Sequence, residues 1–173
     1  GGGYNAFEGM WYNIACEAMA RLAMVMEGPE AAGKYRLLGE KADKAYTRKY
    51  WRDVEDNGRA FSRFISGIDW DGKERDYGYT YGNLEAAAHG IATPETARAM
   101  VWWLDHGQWR SELDQPWMDH IYSIWEIAPP FNTIGNTTWI GRTGSMPYMQ
   151  VVTNGGTRLI IAGRDLLVRA RYL

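Results

Sequence analysis

The stretch DYGYTYGNLEAAAHGIATPETARAMVWW, residues 76–103, predicts a fold built from helix pairs. It contains two helix patterns, over residues 83–89 and 93–106, separated by a short turn. Thr93 is followed by Pro and Glu, which suit an N-cap, a first helical position and a first turn. Two helices joined by so short a connection pack as antiparallel neighbours. Asp76, Tyr77, Tyr79 and Tyr81 precede the first of these helices. An acid and three tyrosines are more than a helix cap requires, and they indicate a polar, aromatic pocket.

The N-terminal region predicts another pair of helices. The first helix starts near Phe7 and stops at Gly28-Pro29, and the second ends near Trp51. We expect the first buried stripe to contain Phe7, Met10, Trp11, Ile14, Ala18, Leu22, Val25 and Met26. We expect the second to contain Ala31, Tyr35, Leu38, Ala42, Ala45 and Tyr46.

The segment between the two helix pairs has a different pattern. Residues 53–58 are rich in turn formers, and residues 61–70 have no helical period. Asp71-Gly72 is a strong hairpin signal. This pattern predicts a β-hairpin, or a long loop with strand-like arms, that reaches about Tyr81.

The C-terminal part is irregular and then helical. Residues 108–154 carry scattered tryptophans and helix breakers, and a stretch of this kind is usually functional or wrongly assigned. Residues 157–173 predict a final helix, whose expected stripe is Leu159, Leu166, Ala170 and Leu173.

Composition favours one globular domain over residues 1–173. The net charge of −2 indicates neither a nucleic-acid partner nor an anionic membrane surface. No apolar run approaches the ~20 residues that span a bilayer. Cys16 is the only cysteine, and the three histidines lack ligand spacing, so we expect no metal and no cofactor. Nine Trp and eleven Tyr, against four Phe, favour a wet binding surface.

Three segments together resemble the six-hairpin, or (α/α)₆-barrel, glycoside hydrolases. They are GGYNAFEGMWYNIACEAMARLAMVM with AAGKYRLLGEKADKAYTRKYW, then DWDGKERDYGYTYGNLEAAAHGIATPETARAMVWWL, and IYSIWEIAPPFNTI with NGGTRLIIAGRDLLVRARYL. The resemblance implies a mainly α fold and a glycosidase that acts on a carbohydrate substrate. It also implies a central or C-terminal portion of the catalytic barrel, because six such hairpins need more than 173 residues. We therefore expect the chain to associate with the rest of a larger chain or with itself.

Glycoside hydrolysis uses two carboxyl groups, one as a general acid and one as a base or nucleophile. Glu126 lies between Trp and Ile, where burial favours a protonated acid, although a salt bridge would also satisfy it. Asp76 follows the predicted hairpin and is the expected ionised partner, or else it pairs with Arg75 or caps the next helix. Glu8 is a further candidate, although an acid in a first turn also complements the helix dipole. Glu85 is expected at the surface.

Aromatic and amide side chains in the same segments are the expected sugar contacts. Aromatic rings stack on sugar faces, and amides both donate to and accept from hydroxyls. For each aromatic residue, core packing or anchoring of a loop is the competing interpretation. The predicted substrate-binding residues are Asn5, Tyr77, Tyr79, Tyr81, Asn83, Trp125, Asn132, Trp139 and Asn154.

Two other classes of protein stay open. One is a polysaccharide lyase of the (α/α) toroid type, which needs a base and cationic side chains near a uronate. Few cations lie in the candidate segments, with Arg75 and Arg142 as the main exceptions. The other is a non-catalytic helical scaffold that binds carbohydrate or protein and needs no acid pair.

Overall fold

The computed structural model describes residues 3–56, 58–76, 80–106 and 159–173. The described part is mainly helical, with small antiparallel sheets. Its elements in chain order are β1 (Gly3–Asn5), α1 (Ala6–Met26), α2 (Pro29–Tyr50), β2 (Trp51–Asp56), β3 (Arg59–Phe64), β4 (Gly67–Asp69), β5 (Glu74–Arg75), α3 (Thr80–Ala88), α4 (Pro94–His106) and α5 (Leu159–Tyr172).

Helices α1 and α2 form the predicted antiparallel pair. Gly28 connects them with a φ of 93°, a backbone conformation that glycine adopts without strain. Gly39 of α2 lies against the Cys16 side chain, and Gly9 near the start of α1 lies against Tyr46 near the end of α2. These contacts run in opposite chain directions, and this confirms the antiparallel arrangement.

The predicted buried stripe of α1 is largely wrong. The buried residues are Ala6, Met10, Asn13, Cys16, Ala20 and Ala23. Most are small, and small side chains allow two helices to approach closely. The large apolar residues point elsewhere, and Val25 is 85% exposed. In α2 the buried residues are Ala32, Tyr46 and Tyr50. Of the stripe predicted there only Tyr46 is buried, whereas Ala31, Tyr35 and Ala42 are half-buried and Leu38 and Ala45 are exposed.

The region after α2 contributes strands to two antiparallel sheets instead of forming one hairpin. Strands β2 and β3 pair from Trp51 opposite Phe64 to Asp56 opposite Arg59. The turn formers of residues 53–58 therefore lie mostly within a strand, because cross-strand pairing overrides their local preference. Strands β1, β4 and β5 make the second sheet, in the order β1-β4-β5. The predicted turn at Asp71-Gly72 is confirmed between β4 and β5.

Helices α3, α4 and α5 pack against one another. Seven of the nine residues of α3 are buried, and α5 packs beside α3 and α4. The predicted stripe of α5 is wrong at the three residues whose burial is described, since Leu166 is 63% exposed, Leu173 is 71% exposed and Ala170 is also exposed. Val168 is fully buried, and polar contacts complete the interface. The Tyr172 hydroxyl donates to the Ala87 carbonyl at 3.0 Å.

Candidate functional site

Asp76 is held by a buried arginine. The Nε and Nη2 atoms of Arg63 donate to Asp76 Oδ2 at 3.0 and 2.7 Å. The Arg63 side chain is 1% exposed, and its guanidinium lies 4.7 Å from the ring centre of Trp103. Arg75 pairs instead with Asp69, at 2.6 Å, so the expected Arg75–Asp76 pair is replaced by Arg63–Asp76. The carboxylate therefore has a fixed position just before α3.

Asn83 connects α3 to the end of β3. Its Oδ1 accepts from the Phe64 backbone N–H at 2.8 Å, and its Nδ2 donates to the Phe64 carbonyl at 3.0 Å. The residue is 1% exposed. Two hydrogen bonds to one backbone unit make a rigid link. Contact of the Asn83 amide with a substrate stays a prediction.

Asn5, Glu8 and Tyr81 lie where α1 and α3 begin. Asn5 caps α1 by accepting a hydrogen bond from the Phe7 backbone N–H at 2.9 Å. Glu8 is exposed in the first turn of the same helix. The Phe7 and Tyr81 rings have centres 5.9 Å apart, which brings the two helix starts together. Contact of these residues with a substrate stays a prediction.

Residues 63–66, called here the β3 junction, connect the candidate segments. Arg63 binds Asp76, and Phe64 binds Asn83. The Ser66 carbonyl accepts from the backbone N–H of Ala6, the first residue of α1, at 3.1 Å. The start of α1, the Asp76 segment and the start of α3 are therefore all attached to one short stretch of chain.

The other predicted site residues lie outside the described part of the chain. They are Tyr77, Tyr79, Trp125, Glu126, Asn132, Trp139 and Asn154. The distance between Asp76 and Glu126, which would distinguish retention from inversion, stays untested.

Glu85 belongs to a buried charged cluster, and its predicted surface position is wrong. It is fully buried in α3, and Arg164 Nε donates to its Oε1 at 2.9 Å. His89 Nε2 lies 3.2 Å from Glu85 Oε2 but is not aligned for a hydrogen bond, and both atoms are buried without a hydrogen-bond partner among the described residues. The signal in the sequence was a glutamate four residues before a histidine in an Ala-rich helix, a spacing that places both side chains on one helix face.

Two further classes of feature are absent from the described residues. No group of three or more His, Cys, Asp or Glu side chains could hold a metal ion there. Within the same ranges, none of the helices combines the length and apolar character that a membrane span requires.

Comparison of the chain with protein-family models, with curated proteins and with solved structures finds no match. The function is therefore inferred from the residues and their geometry.

Proposed function

We propose that the chain is part of a glycoside hydrolase that cleaves its substrate with paired carboxylates. The observation that carries the proposal is the β3 junction, which connects the Asp76 segment to the starts of α1 and α3. Asn5 and Glu8 are far in sequence from Asp76 and Tyr81, and a shared anchor gives the two groups one local frame. A constellation of this kind needs rigid support to act on a substrate.

In this proposal Asp76 is the ionised base or nucleophile and Glu126 is the general acid. The two hydrogen bonds from Arg63 hold the Asp76 carboxylate in one orientation, which a base or a nucleophile requires. Tyr81 supplies an aromatic surface beside the start of α1. The acid donates its proton to the leaving oxygen of the glycosidic bond. In inversion, Asp76 takes a proton from the water that attacks the sugar from the opposite face. In retention, Asp76 attacks the sugar itself, and water then hydrolyses the glycosyl-enzyme bond while Glu126 takes the proton of that water.

The helix pairs fit part of an (α/α)₆ barrel. Helices α1 and α2 form one hairpin, and α3 and α4 form the next along the chain. In a toroid each hairpin buries one face against its neighbours. The exposed apolar residues of α1, such as Leu22, Val25 and Met26, are consistent with a face that another hairpin or another chain covers.

The test is to incubate the protein with a panel of oligosaccharides and polysaccharides and to measure hydrolysis as the release of reducing ends. We expect Asp76→Asn and Glu126→Gln each to lower turnover roughly 100-fold or more, as loss of general acid–base catalysis does. Glu30→Gln is the control, because the Glu30 side chain is 92% exposed on α2. Each variant is first checked by circular dichroism, since Asp76→Asn also weakens the contact with Arg63.

Three outcomes would contradict the proposal. Unsaturated products that absorb ultraviolet light would indicate a lyase instead of a hydrolase. Binding of a carbohydrate without cleavage would indicate a non-catalytic scaffold. Full turnover in both folded variants would place the catalytic pair elsewhere.

A further inference from the structure

A half-open cavity lies away from the β3 junction. It is lined by the middle of α1, the facing side of α2, the turn after α3 and the end of α5, and its volume is about 430 Å³. Pockets of several hundred Å³ are the size that small ligands occupy. None of its lining residues belongs to the β3 junction, to the Asp76 segment or to the first two turns of α1.

The cavity contains a buried amide that lacks a partner. Asn13 is 5% exposed and lines the cavity, and its Nδ2 has no hydrogen-bond partner among the described residues. An unpaired buried donor is costly, so we expect an acceptor from outside the described residues. Asn13 also borders a smaller cavity, but the surface there is mostly apolar. The acceptor is therefore expected on the polar side, which is the larger cavity.

Carboxylates on the opposite wall supply acceptors. Glu40 and Asp43 lie one turn apart on α2, and neither forms a hydrogen bond or an ion pair with the described residues. Burial raises the pKa of the Asp43 carboxyl above its ordinary value, and the charges of Glu17 and Glu40 raise it further. Adjacent carboxyl groups suit a ligand that offers several hydroxyl donors.

The formal charges around the cavity cancel. The lining contains three carboxylates, Glu17, Glu40 and Asp43, and three arginines, Arg21, Arg36 and Arg171. Glu17 and Arg21 already form an ion pair along α1. With equal numbers of each sign, the formal charges of the lining do not favour a ligand of either sign.

The remaining wall is suited to the carbon skeleton of a ligand. Ile14, Tyr35 and Ile91 line the cavity between the polar groups. A sugar ring combines an apolar C–H face with hydroxyls around its edge, and aromatic or aliphatic side chains pack against that face. His89 also lines the cavity, and its Nε2, which lies 3.2 Å from Glu85 Oε2, is a second buried nitrogen without a hydrogen-bond partner in the described part.

We propose that this cavity binds a neutral, polyhydroxylated ligand, namely a monosaccharide or one unit of an oligosaccharide, at a site separate from the predicted catalytic acids. The Asn13 amide donates to a ligand oxygen, and Asp43 and Glu40 accept from neighbouring hydroxyls. The proposal agrees with a carbohydrate-active protein but does not depend on catalysis.

The test is binding of small sugars, measured by saturation-transfer NMR and titration calorimetry. The neutral probes are glucose, galactose and mannose, each up to ~100 mM, far above the millimolar range of weak single-site ligands. Glucuronate and glucosamine are the charged counterparts of glucose. We expect at least one neutral sugar to bind, and glucose to bind more tightly than either charged counterpart. No binding of any neutral sugar, or a preference for a charged counterpart, overturns the proposal.

Two variants locate the site. Asp43→Asn should weaken binding about tenfold or more, the loss expected for one charge-assisted hydrogen bond. Asn13→Leu should weaken it to a similar extent while the melting temperature of the free protein stays the same or rises, because an unpaired buried amide is replaced by an apolar group of similar size. Glu30→Gln is the control and should bind as the wild type does.

Sugar binding by the Asp76→Asn variant distinguishes the cavity from the proposed catalytic site. Sugar binding at the cavity should survive this change, because Asp76 is not among the lining residues. Binding that persists in both Asn13→Leu and Asp43→Asn but disappears in Asp76→Asn would overturn the cavity and leave the proposed hydrolase intact. Cavity binding without any hydrolysis would support the cavity and count against the hydrolase.

Discussion

Removal of the buried Arg63 side chain should destabilise the protein far more than removal of an exposed arginine. In Arg63→Met, the Asp76 carboxylate loses two hydrogen bonds, at 3.0 and 2.7 Å, and Trp103 loses the guanidinium above its ring. Methionine fills part of the volume, but it leaves a carboxylate that is 19% exposed without this cation. Breaking a buried ion pair by removing one partner costs about 3–5 kcal/mol. Because Asp76 keeps some contact with water, we expect about 3 kcal/mol.

The chain offers a matched control in the neighbouring strand. Arg52 pairs with Glu74 at 2.6 and 2.8 Å, but these side chains are 30% and 46% exposed. Exposed ion pairs contribute about 1 kcal/mol or less, so Arg52→Met should cost no more than that. Both variants are unfolded in urea and followed by circular dichroism. The double variant Arg63→Met with Asp76→Asn should recover part of the loss, since it removes the unpaired charge. Equal losses for Arg63→Met and Arg52→Met would refute the structural importance of the buried pair.

Three other expectations follow from single contacts. Asn5→Ala removes the N-cap of α1 and should lower the free energy of unfolding by about 1 kcal/mol, whereas Asn5→Asp should preserve it; equal values for both variants in urea would contradict the cap. Two causes raise the pKa of Tyr46 well above its ordinary value: burial of the side chain is the larger, and the electrostatic effect of Tyr50 is the smaller. The unfolded chain then loses this proton first, so stability should decline above about pH 10, and less steeply in Tyr46→Phe, as thermal melts over a pH series would show. Val25 is 85% exposed on an apolar side of α1, so the wild type should associate in sizing experiments and Val25→Lys should associate less; a monodisperse wild-type monomer would contradict this.

The elements that could be predicted from the sequence depend on local signals. Gly28-Pro29 separates α1 from α2, and Thr93-Pro94 opens α4, because caps and breakers act on the residues beside them. The buried faces could not be read in the same way. Hydrophobicity ranks Leu22 above Ala23, but close approach of the two helices favours the smaller side chain at the interface.

Partners that are distant in sequence explain most of what was missed at the site. Arg63 lies 13 positions before Asp76, and Arg164 lies 79 positions after Glu85. Neither spacing corresponds to a helix or strand period, so no pattern in the chain indicates the pairing. A lone glutamate seldom lies fully inside a protein, so the sequence alone favours a surface position for Glu85. Its burial depends on a cation supplied by α5.

Polar contacts surround the short helix α3 on both sides, and this gives it a specific position. On the β3 side, Asp76 just before the helix binds Arg63, and Asn83 binds the Phe64 backbone. On the α5 side, Glu85 binds Arg164. Buried ion pairs contribute little net stability compared with apolar packing, but they penalise any shift that would separate the charges. A helix of nine residues with small buried side chains could otherwise slide along its neighbours. The contacts on both sides oppose such sliding, and they therefore also fix the orientation in which the Asp76 segment enters the proposed active site.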